Sequence, residues 1–147
     1  VLGGLVTCDL PINAGPVHYV FQTALRAMDV WIRGGDTPPA APRLNLVGSA
    51  FDFDSNGNVT GGIRTPYVDA PSAVLLGNGN GNSFFCNLFG TTDLFSADEM
   101  ATKYIDQDGF ISAVTVATQS AVEAGFILEE DGDAIIAWAP SQWLSQQ

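Results

Sequence analysis

The only histidine of the chain, His18, has the side chain best suited to acid–base chemistry. Imidazole exchanges a proton near neutral pH and is the usual general base that activates a serine. Pro16 suits the first position of a helix, so His18 is expected at a helix start. A single histidine is also commonly a structural hydrogen-bonding residue. A catalytic role and a capping or bridging role near a site are therefore both open.

A second group of side chains could bind a metal ion. Asp52, Asp54 and Asn56 alternate along the chain before Gly57, which is similar to the opening of a calcium loop. The twelfth position of such a loop should be a glutamate, but here it is Ile63. Hairpin turns use the same residue types. The sequence therefore favours a turn, with weak calcium binding as the alternative, and predicts no metal or other cofactor.

The run GNGNGN at residues 77–82 is superficially similar to a nucleotide-binding loop. A phosphate loop follows a strand and opens a helix, with a lysine or a ribose-binding acid placed to match. This run leads instead into Ser83 and two phenylalanines. We interpret it as a mobile surface loop.

Composition narrows the classes of partner. Sixteen Asp and Glu against five Lys and Arg give a formal net charge of −11, which opposes binding to nucleic acid or anionic lipid. No apolar stretch approaches the roughly 20 residues needed to cross a bilayer. Acidic excess with little lysine favours an extracellular or periplasmic location over a cytoplasmic one.

One long helix should position His18. Pro16 opens it and Gly34-Gly35 supplies a stop, which predicts a helix over about residues 16–34. Its apolar residues form more than a narrow stripe, so we expect it to pack on more than one side. The Pro-rich segment 36–42 cannot continue this helix and predicts an extended crossing.

The middle of the chain predicts short strands and loops. Apolar residues between 44 and 53, a turn at 54–58 and the segment 59–65 predict a β-hairpin. Residues 73–76 predict a brief buried strand.

Helices are predicted again near the C-terminus. Ser96 and Glu99 form a capping-box pattern, helical spacing continues over residues 110–122, and a last helix is expected from Glu129 to about Trp138, before Pro140. We interpret residues 1–147 as a single unit: a leading segment and helix (1–35), a crossing, hairpin and loop region (36–95), and C-terminal helices (96–147).

Several motifs carry a family resemblance when taken together. They are N-x-G-P-x-H-Y, the helix ending D-x-W-x-R-x-G, P-P-x-x-P-R, then G-N-x-x-G-G-I-R-x-P, C-x-L-F-G and Ala124-Gly125-Phe126. In this order and spacing, over roughly residues 8–137, they resemble the C-terminal part of a bacterial α/β-hydrolase-domain family.

The resemblance implies an α/β fold class, here as the C-terminal portion of an α/β-hydrolase fold with one long helix, a short antiparallel hairpin region and a C-terminal group of helices. A complete parallel sheet with its crossover helices needs more chain than this. None of the serines lies in the G-x-S-x-G context of a nucleophile elbow. The nucleophile is thus expected on an upstream N-terminal part of the same hydrolase, and this chain is expected to be inactive alone.

The resemblance also bears on the site residues. The family usually has another histidine upstream, which matches the catalytic base better than His18. His18 and Tyr19 are nevertheless expected closest to the chemistry. Arg64 is expected to pair with a carboxylate, with a role in binding a substrate anion as the alternative. Aromatic residues such as Phe89, Trp138 and Trp143 are expected either in the core or along an apolar pocket for a small ester-type substrate.

Cys8 and Cys86 are the only cysteines. They are consistent with one disulfide in a secreted protein or with two buried thiols in a cytosolic one. The rival to a hydrolase segment is a non-catalytic binding or structural module, which would form homo-oligomers or bind a protein partner through its apolar surface.

Overall fold

The computed structural model describes residues 7–77, 79–81 and 84–144. In chain order its elements are α1 (Val17–Ile32), β1 (Leu46–Val47), β2 (Ala50–Phe51), α2 (Pro66–Asp69), β3 (Ala73–Leu76), α3 (Phe84–Phe89), β4 (Thr91–Leu94), α4 (Ala97–Tyr104), α5 (Gln107–Glu123) and α6 (Glu129–Leu144). Both described sheets are two-stranded and antiparallel, β1 with β2 and β3 with β4. None of the described helices is both long and apolar enough to cross a bilayer.

The core lies among α4, α5 and α6. Phe110 of α5 is fully buried and contacts Tyr104 edge-to-face, with ring centroids 5.0 Å apart, and Trp143 at 6.1 Å. Met100 and Ile135 lie in the same buried cluster. The capping box at α4 is confirmed: the Ser96 hydroxyl accepts from the Glu99 backbone N–H, and the Glu99 carboxylate accepts from the Ser96 N–H.

The last helix is longer than predicted. It continues through Pro140 to Leu144 instead of ending near Trp138. Proline normally disfavours a helix interior because it lacks an N–H donor. Burial of Ala139 and Trp143 on either side of Pro140 holds this stretch in the core, so packing outweighs local preference here.

Helix α1 has the predicted position but not the predicted packing. In this helix, which the structure describes throughout, Thr23 is the only buried residue. Phe21, Leu25 and Trp31 are each more than half exposed. The expectation that α1 packs on more than one side is therefore wrong for this chain, because none of its other described elements covers the apolar face of the helix.

The predicted hairpin forms only in part: the turn at residues 54–58 lies between the bridge partners Phe53 and Val59, and a second isolated bridge joins Leu44 to Gly61, but residues 59–65 form no continuous strand. A second turn, at Gly48, separates β1 from β2. The predicted strand at 73–76 is also present. Its partner β4 and the short helices α2 and α3 were not predicted, since four to six residues carry too little periodicity to define an element.

The loop at 77–81 is anchored at Asn80, in contrast to the predicted mobile surface loop. The Asn80 side chain is 1% exposed. Its Oδ1 accepts from the Leu10 N–H at 3.0 Å, and its Nδ2 donates to the carbonyls of Leu10 (2.9 Å) and Gly90 (2.8 Å). Asn78 and Asn82, which belong to the same predicted loop, lie outside the described residues.

Candidate functional site

The segment before α1 lies beside β4 and is held there by side chains. The Thr92 N–H donates to the Pro11 carbonyl at 2.9 Å. The Thr92 hydroxyl donates to the Ile12 carbonyl at 2.8 Å and accepts from the Ala14 N–H at 2.9 Å. Threonine thus uses both hydrogen-bonding functions of its hydroxyl on one short stretch, which sets the path of the chain into the helix.

Asn13 completes this arrangement. Its amide Nδ2 donates to the Leu76 carbonyl at the end of β3, at 2.9 Å, and its Oδ1 accepts from the Gly15 N–H at 2.7 Å. The second bond closes an Asx-type turn immediately before Pro16. The turn that opens α1 is therefore tied to both strands of the β3–β4 sheet.

His18 and Tyr19 follow this turn in the first turn of α1. The two rings lie 3.8 Å apart between centroids, tilted by 42°. Tyr19 is half-buried and packs against the core cluster, whereas His18 is exposed. Burial, and secondarily the neighbouring Tyr19 hydroxyl, raises the pKa of Tyr67 to about 12. The Tyr67 hydroxyl is therefore harder to deprotonate than that of an ordinary tyrosine, and its interaction with Tyr19 connects α2 to α1.

An apolar cleft of about 170 Å³ lies next to these aromatic residues. Ala70, Ala73, Val114 and Ile135, all buried, form its inner wall. It is lined in addition by Ala14, Pro66, Tyr67, Ser72, Leu75, Thr92, Leu94, Trp138, Ser141 and Gln142. The cleft is lined by Ala14 from the turn before α1 and by Tyr67, whose hydroxyl interacts with Tyr19, whereas His18 and Tyr19 themselves are not among its lining residues.

The cleft offers carbon surface and few unpaired polar groups. None of the described residues that line it carries a formal charge. The Thr92 hydroxyl is already engaged with Ile12 and Ala14, and the Tyr67 hydroxyl interacts with Tyr19. Chemically, the cleft is suited to an uncharged apolar group.

The sequence model of the family described as "Alpha/beta hydrolase domain" matches residues 2–137. The chain belongs to the alpha/beta hydrolase domain family. Comparisons with curated proteins and with solved structures return no match. Family membership gives the chain a hydrolase-like scaffold, and Ala14 is the residue that the motif from Asn13 to Tyr19 contributes to the lining of the cleft.

Arg64 does not line the cleft of this hydrolase-family chain. Its guanidinium forms an ion pair with Asp69, with Nε donating to Asp69 Oδ1 at 2.8 Å and Nη2 donating to the same oxygen. Gly61 and Gly62 before it both have positive φ, and a Cβ at Gly61 would lie 2.5 Å from the Arg43 carbonyl oxygen. This tight turn places Arg64 just before α2. Its ion pair with Asp69, the last residue of α2, therefore links the two ends of the short helix that contains Tyr67.

Phe89 lies at the end of α3 with a largely exposed ring. Its carbonyl accepts from the Asn13 N–H at 3.0 Å, so its backbone supports the turn before α1. Gly90 follows with positive φ, and a Cβ there would meet the Leu76 carbonyl oxygen at 2.1 Å. Phe89 thus adjoins the turn, while Trp138 supplies the aromatic surface of the cleft and Trp143 belongs to the core.

The calcium-like segment is occupied by internal hydrogen bonds. Asp54 Oδ1 accepts from the N–H groups of Asn56 (2.8 Å) and Asn58 (3.0 Å), and Asp52 Oδ2 accepts from the Thr60 hydroxyl at 2.8 Å. The Lys103 ammonium donates to Asn56 Oδ1. Among the described residues, no cluster of three His, Cys, Asp or Glu side chains is arranged to hold a metal ion. These contacts are those of a hairpin turn, the interpretation that the sequence favoured over calcium.

Cys8 and Cys86 form a disulfide across 78 positions of sequence. Cys86 is fully buried on α3, and Asn80 holds the neighbouring Leu10. The disulfide and Asn80 together fix the segment that leads to Asn13 and His18. Sequence reasoning missed Asn13, Tyr67 and Thr92 as residues of the site. Only Asn13, which opens the family motif, carried a signal that could have pointed to it.

Proposed function

We propose that this chain is the C-terminal segment of a serine-type α/β-hydrolase that acts on an ester or a related acyl substrate. Its nucleophile and general base lie on an upstream segment of the same hydrolase. The chain alone is inactive, since its sequence has no G-x-S-x-G elbow. The observation that supports the proposal is the turn held by Asn13 and Thr92, because it contributes Ala14 to the lining of an apolar cleft and leads directly into His18 and Tyr19.

The exposed face of α1 supports an upstream partner segment. Phe21, Leu25, Met28 and Trp31 recur at helical spacing and are all about half exposed or more. Contiguous apolar surface of this kind marks an interaction site. In the proposed enzyme this face packs on the upstream segment, and α1 then carries His18 into the assembled site.

In this proposal His18 is a hydrogen-bonding residue near the site, because the general base lies on the upstream segment; a role of His18 as the general base itself is the alternative. The distinction is measurable. His18→Gln keeps a hydrogen-bonding side chain without a group that titrates near neutrality. If His18 is the general base, His18→Gln should lower kcat of the assembled hydrolase by a factor of about 10² or more. If His18 only forms a hydrogen bond near the site, the substitution should change mainly KM. Gln22→Ala, an exposed substitution one turn further along α1, is the matched control.

The proposed function is tested by fluorophosphonate labelling of the native preparation, followed by denaturing mass analysis of every polypeptide in it. The expected result is a label on the serine of a G-x-S-x-G sequence outside residues 1–147, on an upstream part of the same hydrolase or on a companion polypeptide, and none within residues 1–147. Label within residues 1–147, ester turnover by residues 1–147 alone, or the absence of any labelled G-x-S-x-G serine would each contradict the proposal.

The exposed face of α1 also favours a second candidate function, a non-catalytic module that self-associates. Sedimentation of the purified chain separates the two. A homo-oligomer that dissociates in a Phe21→Gln/Leu25→Gln variant, in a preparation without a labelled companion, supports the module. A monomer that binds the labelled companion supports the hydrolase.

We also propose an extracellular or periplasmic location, because disulfides persist in oxidising compartments. The Cys8–Cys86 bond supports it. Thiol alkylation of protein taken directly from the source, before any reduction, should leave both cysteines unmodified.

A further inference from the structure

We infer that the cleft between α2, the β3–β4 sheet and α6 is a binding site for one compact, uncharged ring, and that in the hydrolase it holds the ring-bearing part of the substrate. The role in the hydrolase rests on the proposed function. Binding of the ring rests only on the cleft.

Size is the first argument. The cleft measures about 170 Å³, and an apolar cavity of roughly 150 Å³ is known to accommodate benzene. Sites that enclose a whole drug-sized ligand span roughly 300 to 1,000 Å³. The cleft therefore accepts a single ring and leaves the rest of a larger molecule outside, near Tyr19.

The wall supplies the second argument. Two alanines, Ala70 and Ala73, create the depth, because larger side chains at these positions would fill the space. Val114 and Ile135 close the inner end, and the indole of Trp138 lies at the more exposed edge. A ring seated there would contact aliphatic carbon at its inner end and an aromatic surface at its outer edge.

Electrostatics gives the third argument. The described lining residues include no cation that would pair with a carboxylate or phosphate, and the hydroxyls of Thr92 and Tyr67 are already engaged. A charged group would lose part of its hydration there without gaining an oppositely charged partner. The cleft should therefore discriminate between a neutral ring and its anionic analogue.

The test is a titration of the full chain with benzyl alcohol and, separately, with benzoate, followed by amide and indole N–H chemical shifts. Benzyl alcohol should cause saturable shifts at Ala73 and Trp138, with a dissociation constant on the order of 1 mM, as expected for burial of one ring. Benzoate should bind at least about ten-fold more weakly.

Two variants locate the site. Ser141→Leu places a larger side chain at the edge of the cleft and should weaken benzyl alcohol binding about ten-fold. Ser112→Leu makes the same change at an exposed position of α5 outside the cleft and should leave binding unchanged. Ala14→Leu blocks the opposite edge and serves if Ser141→Leu fails to fold, as judged by circular dichroism.

The inference is overturned if benzyl alcohol shows no saturation, if benzoate binds equally well, or if Ser141→Leu and Ala14→Leu both bind like the parent chain. The first outcome is also expected if the cleft receives a side chain of a partner segment. These results are independent of fluorophosphonate labelling. If the hydrolase is labelled but no ring binds, only the inferred ring site is contradicted. If a ring binds but nothing is labelled, only the proposed hydrolase function is contradicted.

Discussion

Helices α1 and α5, with 16 and 17 residues, differ in how they use their apolar side chains. Helix α5 buries Phe110, Val114, Ala117 and Ala121 against its neighbours. Helix α1 has comparable apolar content but buries only Thr23, and it begins at Pro16 without a side-chain cap. Most helical stability in proteins comes from packing of the apolar face. Helix α5 therefore forms part of the core, whereas the apolar face of α1 is exposed on the surface.

The largest difference is expected from one truncation in each helix. Phe110→Ala should lower the free energy of unfolding by about 3 to 5 kcal/mol, because it leaves a cavity against Tyr104 and Trp143. Phe21→Ala, at a site that is 63% exposed, should change it by less than about 0.5 kcal/mol. Urea denaturation of the isolated chain measures both. Equal losses would show that α1 is packed in solution.

Removal of the disulfide measures how strongly the Cys8–Cys86 bond, which links the segment before α1 to α3, contributes to stability. A Cys8→Ser/Cys86→Ser variant should lose about 4 kcal/mol of stability, because the unfolded chain regains the conformational entropy of the long loop that the disulfide closes. The parent chain under reducing conditions is the control and should lose a similar amount. Unchanged stability in both would mean that Asn80 and Thr92 hold the segment without the covalent link.

The side-chain cap of α4 should have a smaller effect on stability. Ser96→Ala removes the hydroxyl that accepts from the Glu99 N–H and should cost about 1 kcal/mol. Ser112→Ala, on the exposed side of α5, is the matched control and should be neutral or slightly stabilising. A loss at Ser112 as large as that at Ser96 would contradict the assigned cap.

A further prediction concerns pH and the contact between α1 and α2. The pKa of Tyr67 is raised from 10.0 to about 12, first by burial and then by Tyr19. Between these values the unfolded chain has released the proton that the folded chain retains, so stability is complete below pH 10 and falls as pH rises towards 12.

Tyr67→Phe should reduce this alkaline loss of stability, measured by urea denaturation at several pH values. Tyr104, whose pKa burial also raises, contributes a similar slope that remains in the variant. An unchanged slope in Tyr67→Phe would show that the Tyr67 phenol titrates alike in the folded and unfolded chains.

The parts of the site differ in how far the sequence revealed them. His18 and Tyr19 stand in a recognisable motif, and helix-start chemistry is local, so their position at the beginning of α1 was predictable. Tyr67 and Thr92 lie 48 and 73 positions after Tyr19 and were not predicted. Thr92 reaches the site because β4 pairs with β3, and Tyr67 reaches it because α2 packs on α5. Neither contact can be predicted from a local sequence pattern.

Local chemistry in the sequence determined the start of α1, the Ser96 capping box and the turn at residues 54–58, because each depends on residues within a few positions of one another. Tertiary structure alone decided that the apolar face of α1 is exposed, that α6 continues through Pro140, and that Asn80 is buried. Burial depends on which distant segments pack together. An apolar residue reads the same in a sequence whether it lies in the core or on an exposed helix face.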